Sequence, residues 1–210
     1  MRKILFIHRS VGHHLLEQGR LRDHLDAEVQ LDDYDNNLGI LTRSDGTTAT
    51  DGISMPGNNT NPDNLAAFFQ QWPSVLDSYD TIMIKSCYPN SHIKNEEQLE
   101  EIKVLYRAIF DAFATHQKQL IVLTTPPLRP LLTNQKEAKL ASELAYWLVA
   151  SAAKEGVRVS DLHHTYAETT GRHQGMLKRE YRRLLPWDTH PNRTAHAAIA
   201  PQLARFVLSS

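Results

Sequence analysis

The sequence predicts an α/β fold, a three-layer α/β/α sandwich around a central five-stranded parallel sheet of the flavodoxin-like kind. Two observations carry this reading. Short apolar runs at residues 4–7 (ILFI), 81–84 (TIMI) and 120–123 (LIVL) each stop at a polar turn. Between them lie longer segments whose apolar residues recur at helical spacing. Short unbroken apolar runs suit strands buried on both faces, and strands alternating with helices imply a parallel sheet with right-handed crossovers.

Taken in order, residues 4–7 form the first strand, and a short helix over 13–19 follows, with Gly19 as its stop. Residues 27–31 are a weak second strand. Residues 32–62 are polar and rich in Asn, Asp, Gly and Thr, too long for an idle connection, and are expected to form a functional surface loop. The helix over 62–71 turns Leu65, Phe68 and Phe69 inward. The third strand, 81–84, ends in KSCYPNS, and an amphipathic helix over 95–116 carries Leu99, Ile102, Tyr106, Ile109 and Phe113 on one face. The fourth strand, 120–123, stops at TTPPL; a helix over 134–155 buries Ala141, Leu144, Ala145 and Leu148, and Gly156 ends it. Residues 157–159 form a short fifth strand running into Ser160 and Asp161, and 191–208 form the last helix, with a proline at its start. One domain is expected over 1–210.

The composition narrows the function classes. A formal net charge of −1 with interspersed signs argues against a nucleic-acid or acidic-membrane partner. The single cysteine, Cys87, forbids an intramolecular disulfide and fits a reducing, cytoplasmic setting. No stretch has the length of a membrane span, and the apolar run at the N-terminus is too short for a signal peptide.

In a parallel sheet every strand-to-helix turn opens on one edge, where α/β proteins bind their ligands. The turns expected there are HRSVGHH, the 32–62 segment, KSCYPNS, TTPPL and the stretch around WDTHPN. They gather Ser10, Asn90, Asp188 and His190, a set suited to acyl transfer. Ser10 is read either as a nucleophile beside a helix N-terminus or as a plain N-cap. A serine nucleophile needs a base within reach, which His190 can be, and the imidazole needs a carboxylate on Nδ1, which Asp188 can supply by turning back along its loop. Asn90 and the Ser10 backbone N–H are candidate oxyanion donors. A lone cysteine on a strand end packs more often than it reacts, and the adjacent pairs His13–His14 and His163–His164 do not form a metal site by themselves. Arg9 either attracts an anionic substrate group or bonds outward. Trp187 is expected to pack, and the basic run 178–185 is read as a solvated helix face.

On these motifs the chain resembles the SGNH (GDSL-like) hydrolase superfamily. FIHRSVG is similar to its serine block at Ser10, KSCYPNS to its asparagine block at Asn90, and WDTHPN to its terminal block at Asp188 and His190. VLTTPPL looks like its fourth-strand turn. The resemblance spans nearly the whole chain and implies a cofactor-independent serine esterase acting on a small-molecule ester, with no metal. Catalysis would fall to Ser10, Asp188 and His190, and the oxyanion hole to Ser10, Asn90 and a glycine. Gly57 is the choice for that glycine and Gly39 its rival. The pattern departs in two places. His8-Arg9-Ser10 stands for Gly-Asp-Ser, and Asp188-Thr189-His190 is one residue shorter than the usual Asp-x-x-His. A Ser–His dyad, or Asp161 as the orienting carboxylate, would be the consequence if Asp188 fell short, and a non-catalytic ligand-binding member is the alternative to an enzyme.

Overall fold

The computed structural model describes residues 1–49, 60–71, 73–86, 88–116 and 118–209. Five strands run parallel: β1 (Arg2–His8), β2 (Val29–Asp35), β5 (Thr81–Lys85), β6 (Gln119–Leu123) and β7 (Arg158–Ser160). Their lateral order is β2-β1-β5-β6-β7, so the first strand lies inside the sheet as expected. Two short antiparallel strands, β3 (Ile40–Thr42) and β4 (Thr48–Ala49), extend the β2 edge and bring the sheet to seven.

This edge corrects the five-stranded expectation. The DDYD run reads as loop, yet it is the second half of β2, and Asp32, Asp33 and Asp35 are buried within it. Each carboxylate is satisfied locally. Asp32 accepts from Tyr79 Oη (3.0 Å) and the Ser44 N–H (2.8 Å). Asp33 pairs with His8 and Arg22. Asp35 accepts the Asn37 N–H (2.8 Å) and faces His13 (3.4 Å). Buried charge is tolerated when it is paired and hydrogen-bonded, and local patterning cannot reveal partners that are distant in sequence. Part of the expected 32–62 loop is therefore sheet.

Alternation along the strands divides the core into two layers. Leu5, Ile7, Ile82, Ile84, Leu120 and Val122 face α2 (Pro62–Gln71), α4 (Glu96–His116) and α5 (Gln135–Ala152). Ile4, Phe6, Met83, Ile121 and Leu123 face the other way, onto α1 (Ser10–Glu17), α6 (Leu162–Tyr166) and α7 (Arg193–Leu208). A short α3 (Pro73–Asp77) completes the helices. Helix α5 starts with a capping box, in which Asn134 accepts the Glu137 N–H (3.0 Å) and Glu137 returns the bond to the Asn134 N–H (3.3 Å). Among the described residues no helix is long and apolar enough to cross a membrane.

One packing detail fixes the sheet edge used below. His8 ends β1 fully buried, its Nε2 3.0 Å from Asp33 and its Nδ1 3.1 Å from the Arg9 carbonyl. A Cβ on Gly12 would meet His8 Cβ at 2.2 Å and Cγ at 2.5 Å. Glycine to alanine inside a helix ordinarily stabilises by ~1 kcal/mol. Here the pinned ring reverses the sign: Gly12→Ala is expected to destabilise by ~1–3 kcal/mol, the range for overpacking. Urea denaturation of the variant beside wild type measures it; a midpoint at or above wild type would refute the pinned ring.

Candidate active site

Arg9 caps α1 in extended conformation with no capping bond from its side chain, and Ser10 is the first helical residue. The reading of Ser10 as a plain N-cap is thereby corrected: Arg9 holds that position. The first intrahelical bonds run from the Gly12 and His13 N–H groups to the Arg9 carbonyl. The Ser10 and Val11 N–H groups precede them, and a helix start has no carbonyl to offer such donors. Those N–H groups and the positive end of the helix dipole favour negative charge at this point.

Across the sheet edge, the shortened Asp-x-His motif closes on itself. Asp188 Oδ1 accepts the His190 backbone N–H at 2.9 Å and the same residue's ring Nδ1 at 2.7 Å. One carboxylate oxygen therefore serves both, because an aspartate readily folds back on the N–H two residues on. Asp188 thus reaches His190 despite the missing residue. Arg183 holds the other oxygen at 3.4 Å. Burial, the largest single influence, pushes the Asp188 carboxyl up; the backbone and ring of His190, together with Arg183, outweigh it and hold the group below its ordinary value. With Nδ1–H donating to a carboxylate, His190 Nε2 is the basic nitrogen. Asp161, the alternative orienter, bonds His164 and not His190.

The loop carrying this pair is anchored by two arginines, one of them, Arg183, in the 178–185 run expected to be a solvated helix face. Only Arg179–Tyr181 is helical, as a single 3-10 turn. Arg183 Nε donates to the Pro191 carbonyl (3.1 Å), and the largely buried Arg129 donates to the Leu185 carbonyl (2.5 Å). Guanidinium groups bonding main-chain carbonyls leave no mark in local sequence. Trp187, expected to pack, is 68% exposed on the same loop.

Ser10 and His190 line one cavity of about 20 Å³ together with Lys85, Pro126, Leu128 and Thr189. Among the described residues no hydrogen bond joins the two side chains, a looseness common in free enzymes. Asn90 sits on a 3-10 turn, Tyr88–Ser91, beyond the end of β5. It is 4% exposed, and among the described residues its amide Nδ2 has no hydrogen-bond partner. The Tyr106 hydroxyl shares a hydrogen bond with Ser86 Oγ (2.5 Å), and burial raises its pKa against smaller opposing pulls from Ser86 and the nearby Asn90 amide. A buried, unspent amide donor is costly unless something else accepts from it. Gly57 lies outside the described residues, as does Cys87. Gly39 lies in the turn after β2 with φ +66°, and its N–H is spent on the Asp35 carbonyl (2.8 Å), which leaves it no donor for a ligand.

Two features escaped the sequence reading. Lys85, at the end of β5, is 2% exposed and donates to the Ser86 carbonyl (2.6 Å). His14 stands edge-on to His190 with ring centroids 5.5 Å apart, and the His196 ring also lies 5.5 Å from His14. Burial, then the charges of Arg183, His190 and His13, lower His14 to about 4 against a smaller opposing pull from Asp188. A neutral His14 thus stands beside His190 without adding positive charge there. Arg9 reaches Asn37 Oδ1 at 3.4 Å. Among the described residues no three His, Cys, Asp or Glu side chains are disposed to share a metal ion.

No protein-family model matches the sequence, and no curated protein does. Solved structures match it over nearly the whole of this chain. The aryl esterase of M. smegmatis superposes with a TM-score of 0.61 at 15% identity, covering 100% of this chain and 99% of its own. The acetyl xylan esterase AlAXEase gives 0.59 at 12%, covering 99% and 98%. A GDSL-like lipase from Bacteroides thetaiotaomicron gives 0.59 at 9%, covering 98% and 89%. The sheet order, the layering and these full-length superpositions agree: the chain has the SGNH, or GDSL-like, hydrolase fold.

Proposed function

We propose that the chain is a serine-dependent ester hydrolase of the SGNH type acting on small acyl esters, and that Ser10, His190 and Asp188 carry the reaction. The observation that supports this most is the Asp188–His190 pair at 2.7 Å, in a loop that lines one cavity with Ser10. Ser10 Oγ attacks the ester carbonyl and its proton passes to His190 Nε2, while Asp188 holds the tautomer and stabilises the imidazolium. The carbonyl oxygen becomes an oxyanion facing the Ser10 N–H and the unspent Asn90 amide, with Gly57 as the third donor proposed from sequence. His190 then protonates the departing alcohol, and water, deprotonated by the same imidazole, releases the acid and restores Ser10.

The small cavity favours a short acyl group over a fatty one, since about 20 Å³ is little more than the space of one water-sized group. Acetyl groups on carbohydrate are the substrate class proposed, in keeping with the neighbours named aryl esterase and acetyl xylan esterase. The missing Ser10–His190 bond motivates a second reading, a binding module that holds such a ligand without turnover.

Hydrolysis of p-nitrophenyl acetate, butyrate and octanoate, with a fluorophosphonate probe mapped by peptide mass spectrometry, tests the choice. The hydrolase reading expects turnover falling with chain length and probe on Ser10. Folded protein with neither turnover nor label on Ser10 would favour the binding module.

A further inference from the structure

A second hydrogen-bonded Ser–His–Asp set stands away from the Ser10 cavity. Asp161 follows β7 and caps α6, with Oδ1 accepting the His164 N–H (3.1 Å) and the Thr124 hydroxyl (3.1 Å). Its Oδ2 lies 2.5 Å from His164 Nδ1, and His164 Nε2 lies 2.7 Å from Ser142 Oγ on α5. The carboxylate fixes the tautomer with the proton on Nδ1, so Nε2 is an acceptor and the Ser142 hydroxyl donates to it. That is the proton path of an activated serine, already closed in the free protein.

The set opens on a cavity of about 690 Å³ lined by Ser142, His164, Tyr146, Lys139, Glu168 and Gly175, among others. None of these lines the Ser10 cavity. Tyr146, one turn beyond Ser142, lays its ring on His164 at 3.9 Å and 32°, yet is 63% exposed. The volume falls in the range of small-molecule sites, and an exposed tyrosine over the imidazole offers a flat apolar wall.

We propose that Ser142 is a second acyl-accepting serine, activated by His164 and Asp161, for activated esters with an aromatic leaving group. Ser142 Oγ bonds to the carbonyl carbon, the carbon–oxygen bond to the leaving phenol breaks, and the serine proton passes through His164 Nε2 to the phenoxide. Water hydrolyses the acyl-serine through the same imidazole. Ser142 sits inside a helix, so its N–H is committed to the helical ladder and builds no oxyanion hole. Lys139, three residues earlier on the same face, supplies the positive charge on that side of the cavity. Without fixed donors the chemistry is confined to good leaving groups, and deacylation is slow.

The proposal does not depend on Ser10 being catalytic, and its test is made in Ser10→Ala protein. With p-nitrophenyl acetate this variant should release a burst of p-nitrophenol followed by a slow phase. A fluorophosphonate probe should map to the peptide containing Ser142. Adding Ser142→Ala should abolish both signals, and adding His164→Gln should slow labelling about 100-fold, the usual worth of a general base. Circular dichroism establishes that each variant is folded. Folded Ser10→Ala protein that takes up no probe at Ser142, or labelling that persists unchanged in His164→Gln, overturns the proposal. Labelling of Ser10 in wild type tests the other site separately.

Discussion

Ser10→Ala is expected to lower kcat for p-nitrophenyl acetate by about 10,000-fold or more, because nucleophile and base act as one unit. His190→Ala should cost as much, and the double variant no more than either alone, since removing one partner already silences the relay. Asp188→Asn separates geometry from charge. An asparagine can still accept the His190 N–H now bonded at 2.9 Å, so the loop keeps its turn. The same oxygen then also still accepts from Nδ1, with the amide NH2 in the place of the oxygen facing Arg183, so what is lost is the negative charge that stabilises the imidazolium, and kcat should fall. Asn90→Ala removes the unspent amide donor and should cost ~100–1,000-fold, in kcat more than in KM, because an oxyanion donor acts on the transition state. Rates from initial velocities at several substrate concentrations decide this series. A Ser10→Ala variant that retains wild-type kcat would reject the mechanism outright, and an Asp188→Asn variant near wild type would reduce it to a Ser–His dyad.

Acid should destabilise the protein well before its carboxylates titrate. Burial is the main reason that His163 falls to about 4 and His196 to about 3. For His163 the neighbouring His164 adds to the shift, against smaller opposing pulls from the Thr125 carbonyl and Asp161. For His196 the charge of His14 adds to it, against the Pro191 carbonyl. Both folded values lie below the ~6.5 of an unfolded histidine, so the unfolded chain binds more protons on acidification. Their contribution is complete above that value and is lost as pH falls towards the folded values. At pH 5 each neutral imidazole has forfeited about 2 kcal/mol relative to pH 7.5. His14 acts in the same direction. Asp33, Asp161 and Asp188 are held below their ordinary values, so their contribution fades only in stronger acid and is constant across this window. At ~2–4 °C per kcal/mol for a chain of this size, Tm should drop by roughly 10 °C between pH 7.5 and 5. Differential scanning calorimetry across that range reads it directly; a flat Tm would mean that the buried imidazoles take up protons in the folded state as readily as in the unfolded chain.

Much of the fold is legible because its signals are local. The β5 and β6 strands are unbroken apolar runs, and α2, α4 and α5 carry apolar residues at helical spacing, so period and burial coincide in the chain itself. The β2 edge was not legible. A strand containing Asp32, Asp33 and Asp35 violates the apolar pattern, and only His8, Arg22, Tyr79 and Ser44, brought in from elsewhere in the fold, make it stable.

For the candidate site the sequence alone determined which residues gather at the carboxyl edge. Ser10, Asn90, Asp188 and His190 each follow a strand or precede a helix, and parallel topology brings such turns to one edge. What only the tertiary structure decided is how those groups are held. That Asp188 turns back to His190, that Arg183 and Arg129 anchor the loop, that Ser10 is released from capping, and that the Asn90 amide Nδ2 has no hydrogen-bond partner among the described residues are matters of a few ångströms. The same is true of Ser142 and His164, whose contact joins α5 to α6 across the short β7. Hydrogen bonds between such groups depend on how layers of helices settle on the sheet, and no local pattern of residues encodes that distance.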